Sequence, residues 1–168
     1  MPASLRWAER LLPYTLLVGL LHHADHVLRA DHSGWPFIDR ITPFTYSLVA
    51  YPILLFALLA RRLPVWLRAL PVALMAGFTL FAHSGIETPK DQFWMWAYNC
   101  SLDPRAPDAR NLLGIASPAL GVAAAGISLL LNLLLVAVSA LLLDAALRPR
   151  DRGQPPGQRP SVTSASTT

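Results

Sequence analysis

Four apolar runs divide the chain and constrain its fold more than any other feature. They cover residues 11–28, 44–60, 68–84 and 119–143. Crossing a hydrocarbon core of ~30 Å takes roughly 20 helical residues at ~1.5 Å each. The third run is the shortest, apolar only from Leu70 to Ala82, and must draw on its flanks. In lipid every backbone N–H and C=O must be paired within the protein, so isolated runs of this kind must be helices. The expectation is an all-α integral membrane protein, a bundle of four transmembrane helices formed by residues 1–148. A mean hydropathy of +0.41 and a hydrophobic fraction of 54% are too apolar for an ordinary soluble domain and fit this class. Residues 149–168 are rich in Pro, Gly, Ser and Thr, cannot bury a core, and are expected to form a disordered cytoplasmic tail.

The arginines set the expected orientation. Arg6 and Arg10 precede the first run. Arg61, Arg62 and Arg68 lie between the second and third, and Arg148, Arg150, Arg152 and Arg159 follow the fourth. The opposite side mixes Arg29, Arg40, Lys90, Arg105 and Arg110 with Asp31, Asp39, Glu87, Asp91, Asp103 and Asp108. Both termini are therefore expected in the cytoplasm. The first run lacks a small-residue cleavage site after it and reads as a retained helix rather than a signal peptide. A bias toward Ala, Leu, Arg and Pro suggests a GC-rich bacterial genome. The expected location is then the bacterial cytoplasmic (inner) membrane, as a multi-pass protein. The lipid bilayer is its first partner, with a homo-oligomer or a membrane-complex partner as further candidates.

The formal charge of +4 does not indicate nucleic acid, because the arginines cluster at the ends of apolar runs. With one cysteine, the chain has neither an intrachain disulfide nor a cysteine-based metal motif. It shows no Gly-rich phosphate loop and no nucleophilic triad.

The segment LLHHADHVLRADH, residues 20–32, concentrates ionisable groups where they are expensive to keep. It holds four of the five histidines. His22 and His26 are four apart and so neighbours on one helical face, with Asp25 and Arg29 beside them. Thr15 and Gly19 extend this stripe, and small or weakly polar stripes on membrane helices face other helices. His23 lies roughly 60° from His26 around the helix. His32 falls beyond Arg29, in the loop.

The fifth histidine, His83, ends the third run. Counted from Arg10 and Arg68, His26 stands ~24 Å up the first helix and His83 ~22 Å up the third. The two share a layer at the outer end of the bundle. Thr45, Tyr46 and Ser47 on the second run reach the same height, and Glu87 follows His83 at four-residue spacing. Ionisable groups inside a membrane protein usually face the bundle interior and pair with one another.

Three chemistries use such a layer. A divalent transition metal would take His22, His26 and His83, with His23, Asp25 and Glu87 as further candidates in a supporting shell. A haem b would be held by histidines on two helices, from the set His22, His26 and His83. A proton relay or pH sensor would use imidazoles paired with carboxylates. Each of these makes the chain a binding or redox protein; enzymatic activity is open. Against them, interfacial histidines often only hydrogen-bond water, headgroups or backbone. That leaves a structural or accessory subunit, its histidines serving hydrogen bonding or a pH response, as the alternative. A small transporter is third, weakened because the charges crowd one end rather than the midplane. No family motif is carried through: Leu21 stands where a metallo-β-lactamase box has its first histidine, and five histidines are too few for the membrane-desaturase boxes.

The aromatic stretch Phe93–Tyr98 is expected to form a short helix or turn on the outer surface, capping the histidine layer. Ser33–Phe37 has the same interfacial character. Met95 and Cys100 are soft donors that make copper conceivable. Ser117, Gly121 and Ala125 allow close helix contact, Gly126 and Ser128 add to that small surface, and Asn132 is placed to hydrogen-bond a neighbouring helix. Pro52 is expected to kink the second run.

Overall fold

The computed structural model describes residues 1–29, 41–104 and 106–148. The segment with His32 and Ser33–Phe37, Arg105, and the tail from Pro149 lie outside the described residues. All regular structure in the described part is helical. The elements are α1 (Ala3–Arg29), α2 (Pro43–Ser47), α3 (Ala50–Leu59), α4 (Val65–Gly85), α5 (Pro89–Tyr98) and α6 (Pro118–Leu147).

The helices start where the sequence supplies caps. Thr42 and Thr45 close a capping box on α2, and Thr88 and Asp91 close one on α5, each with proline in the first turn. The Ser117 side chain caps α6. The second apolar run is broken rather than gently kinked. Proline clashes with the carbonyl four residues before it; for Pro52 that is Leu48, and the break between α2 and α3 falls at Leu48–Val49. The Leu48 carbonyl instead accepts from Tyr51 N–H at 3.2 Å.

Two of the helices, α4 and α6, are long and apolar enough to cross a membrane. That is narrower than the four spans expected. Helix α1 has the length, but His22, His23, Asp25, His26 and Arg29 hold its hydropathy down, and the α2–α3 break shortens the second run.

Helix α6 is the hub, packing against α1, α4 and α5. The buried faces follow one spacing. On α1 the buried positions Ala8, Leu12, Thr15, Gly19, His22, His26 and Arg29 alternate steps of four and three. On α6 Gly121, Ala124, Ser128, Leu131, Leu135, Val138 and Leu142 do the same. This repeat keeps one seam on each helix facing its neighbours.

Contacts at the two ends fix the relative directions. At one end Arg68 of α4 is bonded to Glu9 of α1 at 3.1 Å and donates to the Ala57 carbonyl of α3 at 2.8 Å. At the other end His83 of α4 meets His22 of α1. Helices α1 and α4 therefore run parallel, and α3 and α6 run against them. Arg68 is thus not the loop marker the sequence implied; it is 1% exposed and ties three helices together. At the far end of α6 the Ser4 hydroxyl, and after it Arg148, hold the Asp144 carboxyl below the usual carboxylate range.

The outward surface is apolar. Tyr14, Leu17 and Leu21 of α1, Leu70, Leu74 and Phe81 of α4, and Leu129, Leu133 and Val136 of α6 are all exposed. The inward surface holds Thr15, Arg29, Arg68, Gln92 and Ser128.

Candidate metal centre

The seam of α1 aims His22 and His26 at the axis of the bundle, and the last full turn of α4 aims His83 at the same point. All three are buried. His22 Nε2 stands 3.2 Å from His26 Nε2 and 3.1 Å from His83 Nε2. Two imidazoles sharing a tetrahedral ion at ~2.05 Å would have nitrogens ~3.3 Å apart. The ligand atoms of the three rings all lie within 4.8 Å of one another.

The opposite side of each ring faces a polar group. His22 Nδ1 is 3.2 Å from Ser128 Oγ. His83 Nδ1 is 2.9 Å from the Asn132 amide. His26 Nδ1 is 3.4 Å from Glu87 Oε2. A proton on each Nδ1 would leave all three Nε2 lone pairs free to meet at one point, the tautomer that metal-binding histidines adopt. The atom of Asn132 at this distance is its amide nitrogen, so for His83 this tautomer requires the amide turned, with its oxygen toward the ring.

Behind His26 lies a chain of charge-assisted bonds. Arg29 Nη1 donates to Glu87 Oε1. Arg29 Nε donates to Asp25 Oδ2 at 2.6 Å, and the indole N–H of Trp96 donates to Asp25 Oδ1 at 2.7 Å. Glu87 reaches this position although α4 ends at Gly85: its N–H returns to the Ala82 carbonyl at 2.9 Å and the chain curls inward.

The structure thus brings His22, His26 and His83 together and sets Glu87 beside them. It places Asp25 one step away, with both oxygens occupied by Arg29 and Trp96. His23 is directed elsewhere. Its Nδ1 bonds the Tyr51 hydroxyl, and its Nε2 lies 2.8 Å from Ser47 Oγ. Tyr51 also donates to the Gly19 carbonyl at 3.2 Å.

Several expectations about the layer change. Tyr46 is 59% exposed and does not join it; the phenol in the layer is Tyr51. Helix α5 is present, but Gln92, Met95, Trp96 and Ala97 are buried against the bundle instead of lying at its surface. Gly121 receives α5, because a Cβ there would meet the Phe93 carbonyl oxygen at 2.6 Å. The loop after α5 is fastened down by Asn111, which bonds the Met95 and Ile115 carbonyls, and by Leu112 N–H on the Leu28 carbonyl at 2.8 Å. The roles of Ser128 and Trp96 escaped the sequence reading. The one available signal was that Ser128 and Asn132 are four apart on a largely apolar helix.

Comparisons with protein-family models, with curated proteins and with solved structures find no match to any of them.

Proposed function

We propose that the chain is a multi-pass protein of the bacterial cytoplasmic membrane that binds one divalent transition-metal ion through Nε2 of His22, His26 and His83. The observation that carries this reading is the double arrangement of the rings. Three buried Nε2 atoms converge, while each Nδ1 faces Ser128, Asn132 or Glu87. His22 Nε2 meets two ring nitrogens at once, and its single proton or lone pair serves only one of them well, whereas a shared ion would engage all three.

A metal ion suits the site better than haem b. A haem takes histidines from opposite faces of a macrocycle, and nitrogens 3.1–3.2 Å apart leave no room for one between them. Three imidazoles and no thiolate suit zinc, copper, iron or nickel. Bound there, the ion would supply Lewis acidity or one-electron chemistry. The chain's own part is to hold the three rings in one tautomer, with Glu87 fixing His26 and Arg29 and Asp25 fixing Glu87.

The membrane reading rests on the apolar runs and on the distribution of side chains: apolar outward, polar and charged inward. In water such a surface would be an extensive aggregation-prone patch. The four spans are those at 11–28, 44–60, 68–84 and 119–143, with both ends cytoplasmic.

The test is elemental analysis of full-length protein purified in detergent without chelator. About one transition-metal ion per chain is expected, lost in His22→Ala, His26→Ala and His83→Ala and kept in His23→Ala. Metal-free protein that also fails to take up added Zn2+ or Co2+ would instead leave a structural or accessory subunit.

A further inference from the structure

A pocket lies against the three histidines, walled by α1, α2–α3, α4 and α6. All three rings line it. Its other walls are mainly apolar, from Phe44, Leu54, Phe78, Leu131 and Leu135. The space arises where small residues line the gap between helices: Gly19 on α1, Ala50 on α3 and Ala82 on α4.

Among the described residues the protein donors near the histidines are engaged. Among the described residues the group of His, Cys, Asp and Glu side chains able to share an ion holds His22, His26 and His83. Glu87 is engaged by Arg29 and His26, and Asp25 by Arg29 and Trp96. His23 is turned to Tyr51 and Ser47, and Thr79 Oγ1 donates to the Met75 carbonyl at 2.9 Å. A tetrahedral ion on three histidines has one further position, and catalytic sites differ from structural ones by leaving it open.

Resting on the metal reading above, we infer that the ion keeps an open coordination position facing this cavity. The cavity takes a lipid-soluble small molecule: an apolar body against Phe44, Leu54 and Phe78, and a single nitrogen, oxygen or sulfur donor on the metal. The lining selects for this class. A charged or strongly hydrated ligand would lose its water to walls that offer little in return. Tyr51 and Ser47, already bonded to His23, leave a small polar edge on the α3 side for one hydrogen bond to a bound molecule.

The experiment uses full-length protein in detergent loaded with Co2+, whose visible bands report coordination. Imidazole and 4-phenylimidazole are titrated in turn. They offer the same donor, but only the second carries an apolar body. Both should shift the cobalt bands, with 4-phenylimidazole binding at least ~10-fold more tightly because its ring is buried. Ala50→Phe should fill part of the cavity, leave cobalt stoichiometry intact and abolish that preference. Ala82→Phe fills it from α4 and serves if the first variant expresses poorly. Bands that neither ligand moves would mean a closed site and overturn the inference while leaving the metal reading intact. So would equal affinities insensitive to both phenylalanine variants, or a His32→Ala variant whose ligand-free cobalt spectrum changes, since His32 would then be the fourth ligand. Failure of the wild type to bind cobalt at all would fall on the metal reading itself.

Discussion

Asn132 on α6 reaches the ring of His83 on α4, with its amide 2.9 Å from Nδ1. This contact decides which nitrogen of His83 carries the proton. With the amide oxygen toward the ring, Nδ1 is the donor and Nε2 is free for a metal. Removing such a partner typically costs ~10–100-fold in metal affinity. Asn132→Leu should show a loss of that size in a competitive Zn2+ titration with a chromophoric chelator. Asn132→Asp should retain the affinity, because a carboxylate also accepts from Nδ1–H. Equal affinities in all three proteins would remove Asn132 from the site.

The three histidines should behave as one unit. His26→Ala or His83→Ala alone should abolish most metal binding, so the double variant should lose little more. Separate structural hydrogen bonds would instead give independent stability losses of ~1 kcal/mol each. Thermal melts with and without added metal discriminate the two cases. Metal should raise the Tm of the wild type and of His23→Ala, and leave that of the double variant unchanged. Strictly additive losses with unaltered metal content would defeat the shared site.

Arg29 sits between Asp25 and Glu87 and is 1% exposed. Breaking a buried ion pair by removing one partner leaves an uncompensated charge and costs ~3–5 kcal/mol. Arg29→Met should therefore lower stability by about that much, judged by denaturant midpoint in detergent. A milder effect is expected for Asp25→Asn, whose side-chain oxygen can still accept from Trp96 or Arg29. If Arg29→Met is as stable as wild type, the chain from Trp96 to His26 does not hold the site together.

Gly121 gives the sharpest packing test. A methyl group at this position would lie 2.6 Å from the Phe93 carbonyl and 2.8 Å from the Phe93 ring, so α5 must move away from α6. Gly121→Ala should destabilise by ~1–3 kcal/mol. Gly126 on the same helix has open space at its Cβ, so Gly126→Ala should be neutral or slightly stabilising, from helix propensity. A Gly121→Ala protein melting at the wild-type temperature would mean that α5 is not seated as described.

The helices and the histidine layer were legible for different reasons. Apolar runs report helix extent directly: the expected ranges match α2–α3, α4 and α6 to within four residues, while α1 starts eight residues before its run. The shared layer of His26 and His83 followed from counting rise along two parallel helices, with His22 one turn below His26. What failed was the partner on the second run. Tyr46 matches the layer by height, whereas Tyr51 stands only ~15 Å above Arg61 by the same count; five residues put the two ~140° apart around a helix, so Tyr46 faces out while Tyr51 reaches His23. The aromatic stretch does form the short helix expected, but it is packed deeper than expected, because aromatic residues at a membrane interface and aromatic residues packed on a helix look alike in composition. The contact between Trp96 and Asp25 joins positions 71 residues apart, and local pattern carries no trace of it. Ser128 and His22 are further apart still, and small residues on α6 explained themselves as packing before they could be seen as partners.

The exterior of the bundle separates a membrane protein from a soluble one. Leu133 is 68% exposed, one residue after the inward-facing Asn132, and lies near the middle of α6. On a soluble protein, replacing so exposed a leucine by arginine is close to neutral. In a spanning helix it puts a charge at the bilayer centre, which costs ~2.5–3.5 kcal/mol on insertion scales. Leu147 is 81% exposed at the end of the same helix, where an arginine can reach the headgroups. Leu133→Arg should therefore reduce the fraction resisting alkaline extraction from membranes by at least ~10-fold, and Leu147→Arg should leave it near wild type. Reporters fused at Thr168 and in the loop near Asp103 should report opposite sides, with Thr168 inside. Wild-type protein in the soluble fraction, or Leu133→Arg indistinguishable from Leu147→Arg, would overturn the four-span arrangement and remove the dry surroundings that the histidine layer requires.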